Sequence, residues 1–354
     1  MRKTLEHFQE KWNPVFRPKV RAKKLERIHV SMKHEFALAS IFALFLASSN
    51  VVQTVYAEEW PARPVRVVIP ISAGSAIDIV PRIVFERLSA QLGQPIIIEN
   101  RPGASGTIGA RAVAHAEPDG YTLLAQSSAH TIAPATMANL PYDTIKDFAA
   151  IAALGNLPNV LVISPSKNIR TVQELVALGK TQPITFGSIG VGSPIHLTME
   201  RFRLAAGFQT MAIPFKGAPE VLTEVMTGRV DVYYSPLLAA LPFIRDGKLI
   251  PLVVSSRQRA SILPDVPTSL EAGYPNSDYN FWIGVFAPAK TPREIVNRLN
   301  MEIQKTLQIP AIREKLAALG IEPMPMTTGQ FDAYVRQEIE TNAALAKAAG
   351  ITPK

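Results

Sequence analysis

A loop of small residues between a predicted strand and a predicted helix offers the strongest candidate chemistry in the sequence. It runs from Pro70 to Asp78 and reads PISAGSAID. Such a loop leaves several backbone N–H groups without partners, with the positive end of a helix dipole behind them, so it can bind an anion. The alternative is an ordinary tight turn in which Asp78 is a first-turn residue. The candidate binding residues are Ser72, Ala73, Gly74, Ser75, Ala76 and Asp78.

Two further loops of small and hydroxyl-bearing residues also follow predicted strands. One comes after Tyr121–Ala125 and the other after Thr185–Gly187. Ligands of open parallel sheets bind outside the carboxyl ends of the strands. Three such loops therefore predict one shared pocket, although each alone could be turn chemistry. The candidates in these two loops are Ser127, Ser128, Ala129, Ser188, Gly190, Gly192, Ser193 and His196.

Catalytic chemistry finds little support in the residues. The chain has no cysteine, which excludes disulfides, thiolate metal sites and cysteine nucleophiles. Beyond the N-terminal region, the candidate bases are His115, His130 and His196. The spacing of Ser193 and His196 suits helix capping at least as well as nucleophile activation. The sequence has neither a G-x-S-x-G elbow nor an H-E-x-x-H motif. We expect a protein that is not an enzyme and holds no metal or cofactor.

Alternating strands and helices position these loops. The succession of short apolar runs and helical stretches predicts an α/β fold whose mainly parallel sheets are flanked by helices. The predicted strands are Val65–Pro70, Pro95–Glu99, Tyr121–Ala125, Val160–Ser164, Thr185–Gly187, Gln209–Phe215, Val230–Tyr234, Leu249–Ser255 and Phe281–Ala287. The predicted helices are Asp78–Leu92, Gly106–His115, Val172–Gly179, His196–Ala206, Pro219–Met226, Pro292–Leu307, Ile312–Gly320 and Gly329–Ala348.

The length indicates two lobes. A chain of 354 residues corresponds to about two domains of roughly 150 residues each. Extended segments near Val160 and Phe281 would connect the lobes and form a hinged cleft. We expect lobe 1 to contain residues 58–160 and 283–354, and lobe 2 to contain residues 161–282.

The distribution of charge argues against a nucleic-acid partner. The net charge is +8, but residues 1–57 hold ten Lys/Arg against four Asp/Glu. The remainder of the chain holds 27 basic and 25 acidic residues. A nearly neutral body gives no continuous basic track for a phosphate backbone.

The N-terminal region has the order of a secretory signal. A short basic segment from Met32 precedes the apolar run Phe36–Ala47, and a V-x-A cleavage site ends at Ala57. The apolar run is shorter than the roughly 20 residues that a spanning helix needs. We therefore expect cleavage after Ala57 and a periplasmic protein. An uncleaved anchor is the alternative, and residues 1–31 form an N-terminal extension.

Many separate segments resemble one family. They occur in the same order over essentially all of residues 59–351. The matching segments are WPARPVR from Trp60, DIV from Asp78, ENRPGASGTIG from Glu99, PDGYTLL from Pro118, LPYD from Leu140, FKG from Phe215, GRVDV from Gly228, GKL from Gly247, LPDVPT from Leu263 and APAKTP from Ala287. In these segments the chain resembles the Bug-type solute receptors, which are the periplasmic substrate-binding proteins of the tripartite tricarboxylate transporter family.

The resemblance implies a two-lobed fold like that of the type II periplasmic binding proteins. Such a protein closes over a small organic carboxylate, which can be a mono-, di- or tricarboxylate or an aromatic acid. It then delivers the acid to membrane transporter subunits, and the receptor itself is a monomer. The first loop and the lobe 2 loop would hold one carboxylate through backbone N–H groups, hydroxyls and bridging water, without a salt bridge.

The chain departs from the family pattern at two places. The first loop of the family usually reads Phe-Pro-Pro-Gly-Gly, whereas this chain has ISAGS from Ile71. After the strand at Asp231 it has Ser235 and Pro236 where many members have an acidic residue and an asparagine. Ser235 is a further candidate contact. Lys216 is the one cationic side chain in the matching motifs that could meet a distal acid group.

Two other functions remain open at this stage. The protein could be a sensor subunit that presents its ligand to a signalling partner. It could also be a periplasmic hydrolase of carboxylates that uses His196.

Overall fold

Two five-stranded sheets form the body of the protein. The computed structural model describes residues 60–353, and both sheets belong to one unit that spans Glu59–Lys354. The predicted extension, signal peptide and cleavage site lie outside the described residues. The strands are β1 (Val65–Ile69), β2 (Ile96–Asn100), β3 (Thr122–Ser127), β4 (Phe148–Asn156), β5 (Asn159–Ile163), β6 (Ile184–Ser188), β7 (Thr210–Pro214), β8 (Val232–Pro236), β9 (Ile250–Val254) and β10 (Trp282–Pro288).

Helices cover the faces of both sheets. Short 3₁₀ turns occur at Ala104–Gly106 and Pro165–Lys167. In residues 60–353, no helix is long and apolar enough to cross a membrane. The helices are α1 (Ala76–Leu92), α2 (Thr107–Ala114), α3 (Ala129–Thr136), α4 (Val172–Gly179), α5 (Pro194–Ala206), α6 (Ala218–Met226), α7 (Leu237–Arg245), α8 (Arg293–Leu307), α9 (Pro310–Ala318) and α10 (Thr328–Ala348).

The α/β class is confirmed, but the sheets are mixed rather than mainly parallel. The first sheet has the order β2-β1-β3-β10-β4 and the second has the order β7-β6-β8-β5-β9. In the first, β1 pairs in parallel with β2 and β3, whereas β10 is antiparallel to both of its neighbours. In the second, β6 pairs in parallel with β7 and β8, and β5 is antiparallel to β8 and β9.

The antiparallel strands result from the way the chain passes between the sheets. It leaves the first sheet after β4 and enters the second at β5, with only Leu157 and Pro158 between them. It returns through residues 255–281 and enters the first sheet at β10. Neither β5 nor β10 follows a helix that returns to the same edge, so the rule that makes βαβ strands parallel does not apply to them. The exact lobe boundaries remain a prediction.

Each sheet has its own apolar core. On one face of the first sheet, α1 and α8 bury side chains such as Val84, Leu88 and Ile303. On the other face, α10 buries Phe331 against Trp282 of β10. A separate cluster that includes Phe186, Phe202 and Tyr234 stabilises the second sheet. Because these side chains are fully or almost fully buried, the strand ends that carry the loops have firm support.

Candidate functional site

A cavity of about 630 Å³ lies where the carboxyl ends of strands from the two sheets face each other. This volume is within the range of small-molecule sites. The loops after β1, β2 and β3 form one side, and residues around β5, β8 and the start of α5 form the other. The lining residues are Pro70, Ile71, Ser72, Ser75, Ala76, Ile77, Pro102, Gly103, Ser105, Gly106, Gln126, Ser127, Ala129, Leu157, Asn159, Ile189, Pro194, Ile195, Pro236 and Phe281.

The first loop ends in a helix that has no side-chain cap. Ser75 is the N-cap residue of α1 and has extended backbone angles, but its hydroxyl makes no capping hydrogen bond. The N–H groups of Ala76 and Ile77 in the first turn have no carbonyl partner within the helix. Ser75, Ala76 and Ile77 all line the cavity. The N-terminus of α1 can therefore donate hydrogen bonds to an anion there.

Asp78 supports this loop from behind. One of its carboxylate oxygens accepts a hydrogen bond from the Gly74 N–H (2.9 Å), and the other accepts from Arg82 Nε (3.0 Å) and Asn100 Nδ2 (2.9 Å). Asn100 Nδ2 also donates to the Ile71 carbonyl (3.0 Å). Asp78 is 2% exposed and does not line the cavity. Its carboxylate therefore positions the loop, and its acceptor capacity is already used.

The pKa of Asp78 reflects this network. Burial alone would raise the pKa of the carboxyl group, but the hydrogen bonds from Arg82, Asn100 and Gly74 outweigh burial and lower the pKa below its ordinary value of 3.8. The group is therefore ionised at neutral pH.

Two more helices begin at the cavity, but their first N–H groups have partners: Ala129 of α3 donates to Ser127 Oγ (3.3 Å) and Thr107 of α2 donates to the Ala104 carbonyl. Gly106 is the N-cap of α2 and Ser128 is the N-cap of α3. Gly106 has φ +90°, which a side chain at this position would strain. In α2, a Cβ on Gly109 would lie 2.7 Å from Pro70 Cβ, so only glycine lets α2 pack this closely against the first loop. Three helices thus begin on the side of the first sheet, and the free first-turn N–H groups of α1 line the cavity there.

Sequence reasoning missed two buried amides as site residues. Gln126, at 3% exposure, uses Oε1 to accept from the Ser127 N–H (2.9 Å), and its Nε2 makes no hydrogen bond within residues 60–353. Asn159, at 1% exposure, also lines the cavity, and its Nδ2 has no partner in the described part of the chain. A polar residue at the end of an apolar strand run, as in LLAQ, is the signal that could have identified Gln126.

The second-sheet loop lies mostly beside the cavity. Gly190, Gly192 and Ser193 line an adjacent groove. The Ser193 hydroxyl accepts from the His196 N–H (3.2 Å) and so caps α5. The Ser188 hydroxyl is 2.9 Å from His196 Nδ1, and both residues are buried. The Ser188–His196 pair does not line the cavity, so it serves the loop and not a ligand in the cavity.

The structure brings five of the sixteen predicted residues to the cavity: Ser72, Ser75, Ala76, Ser127 and Ala129. Ala73 and Gly74 are exposed in the first loop, and Ser128 is fully buried at the start of α3. Lys216 is exposed and Ser235 is fully buried, with its hydroxyl donating to the Pro236 carbonyl (3.1 Å). These residues do not line the cavity.

Two of the three candidate bases, His115 and His130, lie away from the cavity in structural surroundings. His115 is exposed at the end of α2, with Nδ1 3.0 Å from the Arg111 carbonyl. His130 is buried among Tyr142, Phe148 and Phe286, and neither ring nitrogen has a hydrogen-bond partner in residues 60–353. Burial lowers the pKa of His130 to about 3. The imidazole is therefore neutral and acts as part of an aromatic core.

His130 should make the protein sensitive to mild acid. Below pH 6.5 the unfolded chain takes up a proton at this residue, whereas the folded protein does so only near pH 3. Stability is therefore lost as the pH falls through that window. Between pH 7.5 and 4.5, the wild type should lose about 2–3 kcal/mol more unfolding free energy than His130→Phe. Urea unfolding at both pH values measures this difference, and equal losses would contradict the assignment.

The fold and the cavity define a class of protein. Two mixed sheets flanked by helices are joined by two chain crossings, and the uncapped N-terminus of α1 faces the cavity between them. This is the architecture of a two-lobed solute-binding protein. A family model described as the tripartite tricarboxylate transporter family receptor matches residues 80–351. The chain belongs to this family, which confirms the resemblance seen in the sequence, and receptors of the family are periplasmic.

Individual relatives agree with this membership. Protein BugT of Bordetella pertussis is 33% identical over 317 residues, which is 88% of this chain and 97% of the relative. The structure of Rpa4515 of R. palustris with adipate is 32% identical, covers 84% of this chain and 100% of its own, and has a TM-score of 0.72. The structure of MatC from Rhodopseudomonas palustris with bound malate is 31% identical, covers 81% and 99%, and has a TM-score of 0.67.

Proposed function

We propose that this protein is an extracytoplasmic receptor that captures a small organic carboxylate in the cavity and delivers it to a membrane transporter. The observation that carries the proposal is the uncapped N-terminus of α1, whose free first-turn N–H groups line the cavity. The family membership and the acids bound by two related structures support it.

The carboxylate would be held by neutral donors. Donors on the first-sheet side are available from residues that line the cavity: the N–H groups of Ala76 and Ile77, the hydroxyls of Ser72 and Ser75 and the Nε2 group of Gln126. Hydrogen bonds from neutral groups to a carboxylate are charge-assisted, so they are stronger than bonds between neutral partners. Their fixed directions favour an anion without requiring a buried cation.

Binding would act through the two chain crossings. Residues 157–158 and 255–281 join the sheets, so they can serve as hinges. An acid that contacts both sides of the cavity prefers the closed arrangement and shifts the population toward it. The closed form would then be recognised by the transporter. The proposal also includes four further points. The chain is cleaved after Ala57, the receptor is a monomer, the lobes have the boundaries predicted from the sequence, and the protein catalyses no reaction.

A comparison of acids with their amides tests the proposal. The exported protein, dialysed to remove bound solute, would be titrated calorimetrically with mono-, di- and tricarboxylates and with the corresponding neutral amides. We expect at least one acid to bind at least about tenfold more tightly than its amide, because the donors meet a charged acceptor only in the acid. Equal affinity for each acid and its amide, or no binding of any acid, would overturn it.

Denatured mass spectrometry of the same sample tests export. We expect a mass that corresponds to a chain starting at Glu58, and a full-length mass would contradict cleavage.

Loss of uptake of the bound acid in a deletion strain separates a transport receptor from a sensor subunit. In the sensor case, uptake would persist and a signalling response would be lost. If the wild type chemically converts the acid and His196→Ala abolishes this turnover, the result would favour the hydrolase.

A further inference from the structure

The lining of the cavity has a polar side and an apolar side. Loops of the first sheet supply Ser72, Ser75, Ser105, Gln126 and Ser127. The second sheet and its helices supply only apolar side chains beyond Asn159, which begins β5. These apolar residues are Ile189, Pro194, Ile195 and Pro236. An acid whose carboxylate meets the N-terminus of α1 would therefore place its remaining atoms against the hydrocarbon side chains opposite.

Charged side chains do not reach this lining. Among the described residues that line the cavity there is no Asp, Glu, Lys, Arg or His. Lys216, which the sequence offered as a partner for a distal acid group, is exposed and does not line the cavity. A second carboxylate placed on the apolar side would lose its hydration without gaining a cation. An apolar body in the same place gains from burial.

The apolar side contains one polar side chain that lacks a partner, and the first-turn N–H of Ile195 at the start of α5 is a further free donor there. Asn159 is 1% exposed, and its Nδ2 makes no hydrogen bond within the described residues. Its backbone is fixed, because its N–H donates to Ser255 Oγ (3.2 Å) and its carbonyl accepts from the Ser255 N–H (2.8 Å). A single neutral amide can satisfy one hydroxyl or carbonyl oxygen of a ligand. Even together with the Ile195 N–H, it falls short of the several donors that a second buried carboxylate requires.

We propose that the cavity selects monocarboxylates with an apolar aliphatic or aromatic body over di- and tricarboxylates. This inference rests on the proposed function, because it takes the first-sheet side as the carboxylate site. It narrows the ligand class by the chemistry of the opposite side.

Matched pairs of acids test the selectivity. Hexanoate and adipate have six carbons each, and benzoate and terephthalate share one ring; within each pair only the second carboxylate differs. Calorimetry at pH 7.5, where all the carboxylates are ionised, should show the monoacid binding at least about tenfold more tightly than the diacid in at least one pair. Equal or tighter binding of the diacids would overturn the inference and leave the receptor function intact. Binding of no acid at all would contradict the proposed function and the inference together.

A gain-of-function variant tests the cause. Ile189 is half-buried and lines the cavity from the second-sheet side. Ile189→Lys should reduce the preference for hexanoate over adipate at least about tenfold, because it supplies the missing cation. Met211→Lys is the matched control, since it adds the same charge to the second sheet at a 52% exposed position outside the cavity. Its preference should equal that of the wild type. If Ile189→Lys does not fold, the wild-type pairs decide the outcome alone.

Discussion

Replacement of Asp78 by alanine should lower ligand affinity about 10- to 100-fold and the free energy of unfolding by about 2–3 kcal/mol. The substitution removes the acceptor that fixes Gly74 and disconnects Arg82 and Asn100 from the first loop. The loop then samples other conformations, and its donors must be ordered when the ligand binds. Calorimetric titration and urea unfolding measure the two quantities, with the acid identified by the panel described above.

Asp332→Ala is the matched control for this prediction. Asp332 pairs with Arg336 four residues later on α10, and both side chains are about half exposed, so its loss should change stability by less than about 0.5 kcal/mol. Unchanged affinity in Asp78→Ala would show that the loop is held without the carboxylate.

The contribution of Asp78 to the free energy of unfolding also depends on pH. Because the folded pKa is lowered, the stabilisation is complete above the ordinary value of 3.8 and is lost as the pH falls through the lowered pKa.

Local sequence identified the first loop well because its chemistry is local. A small-residue segment that connects an apolar strand to a helix must present backbone donors, whatever surrounds it. Ser72, Ser75 and Ala76 line the cavity accordingly. Asp78 shows the limit of such reasoning. Its partners Gly74 and Arg82 are four residues away, but its partner Asn100 lies on β2, so the nearby sequence could not reveal the full network that engages the carboxylate.

Three elements were missed for identifiable physical reasons. β4 reads FAAIAALGN, and its alanines have low strand propensity even though every residue is buried. The helices α3 and α7 contain Pro134 and Pro242, which disguise a helical pattern in sequence. β4 is also the strand that leads into β5 and the second sheet. Its omission made the mixed character of the sheets harder to predict.

The position of the second-sheet loop depends on tertiary structure. Its glycines and serines resemble those of the first loop, so the sequence assigned both the same role. In the structure, the Ser193 hydroxyl caps α5 and the Ser188 hydroxyl meets the His196 ring. The loop's hydroxyls are thus used internally. The side chains that this loop and α5 bring to the cavity are apolar, including Ile189 and Ile195, and no local motif distinguishes these isoleucines from core residues.

Ser75→Asp should lower ligand affinity at least about 100-fold while changing the free energy of unfolding by less than about 1 kcal/mol. Ser75 already has the extended backbone of an N-cap residue and its hydroxyl makes no capping bond. An aspartate there would accept from the first-turn N–H groups of α1 and place its own negative charge where the ligand's carboxylate binds. It would act as a tethered competitor. Stability should change little, because favourable capping is offset by repulsion from Asp78 three residues later.

Ser75→Asn distinguishes the effect of the aspartate charge on ligand affinity from the effect of its shape. Asparagine has nearly the size of aspartate and is as good an N-cap residue, but it is neutral. Its amide can occupy the same N–H groups, so affinity should fall less than about tenfold, because a ligand anion can displace a neutral acceptor from them. Equal losses in the two variants would mean that the side chain blocks the cavity sterically. Unchanged affinity in Ser75→Asp would place the carboxylate away from α1. Only a much larger loss with aspartate than with asparagine is consistent with an anion held at this helix N-terminus.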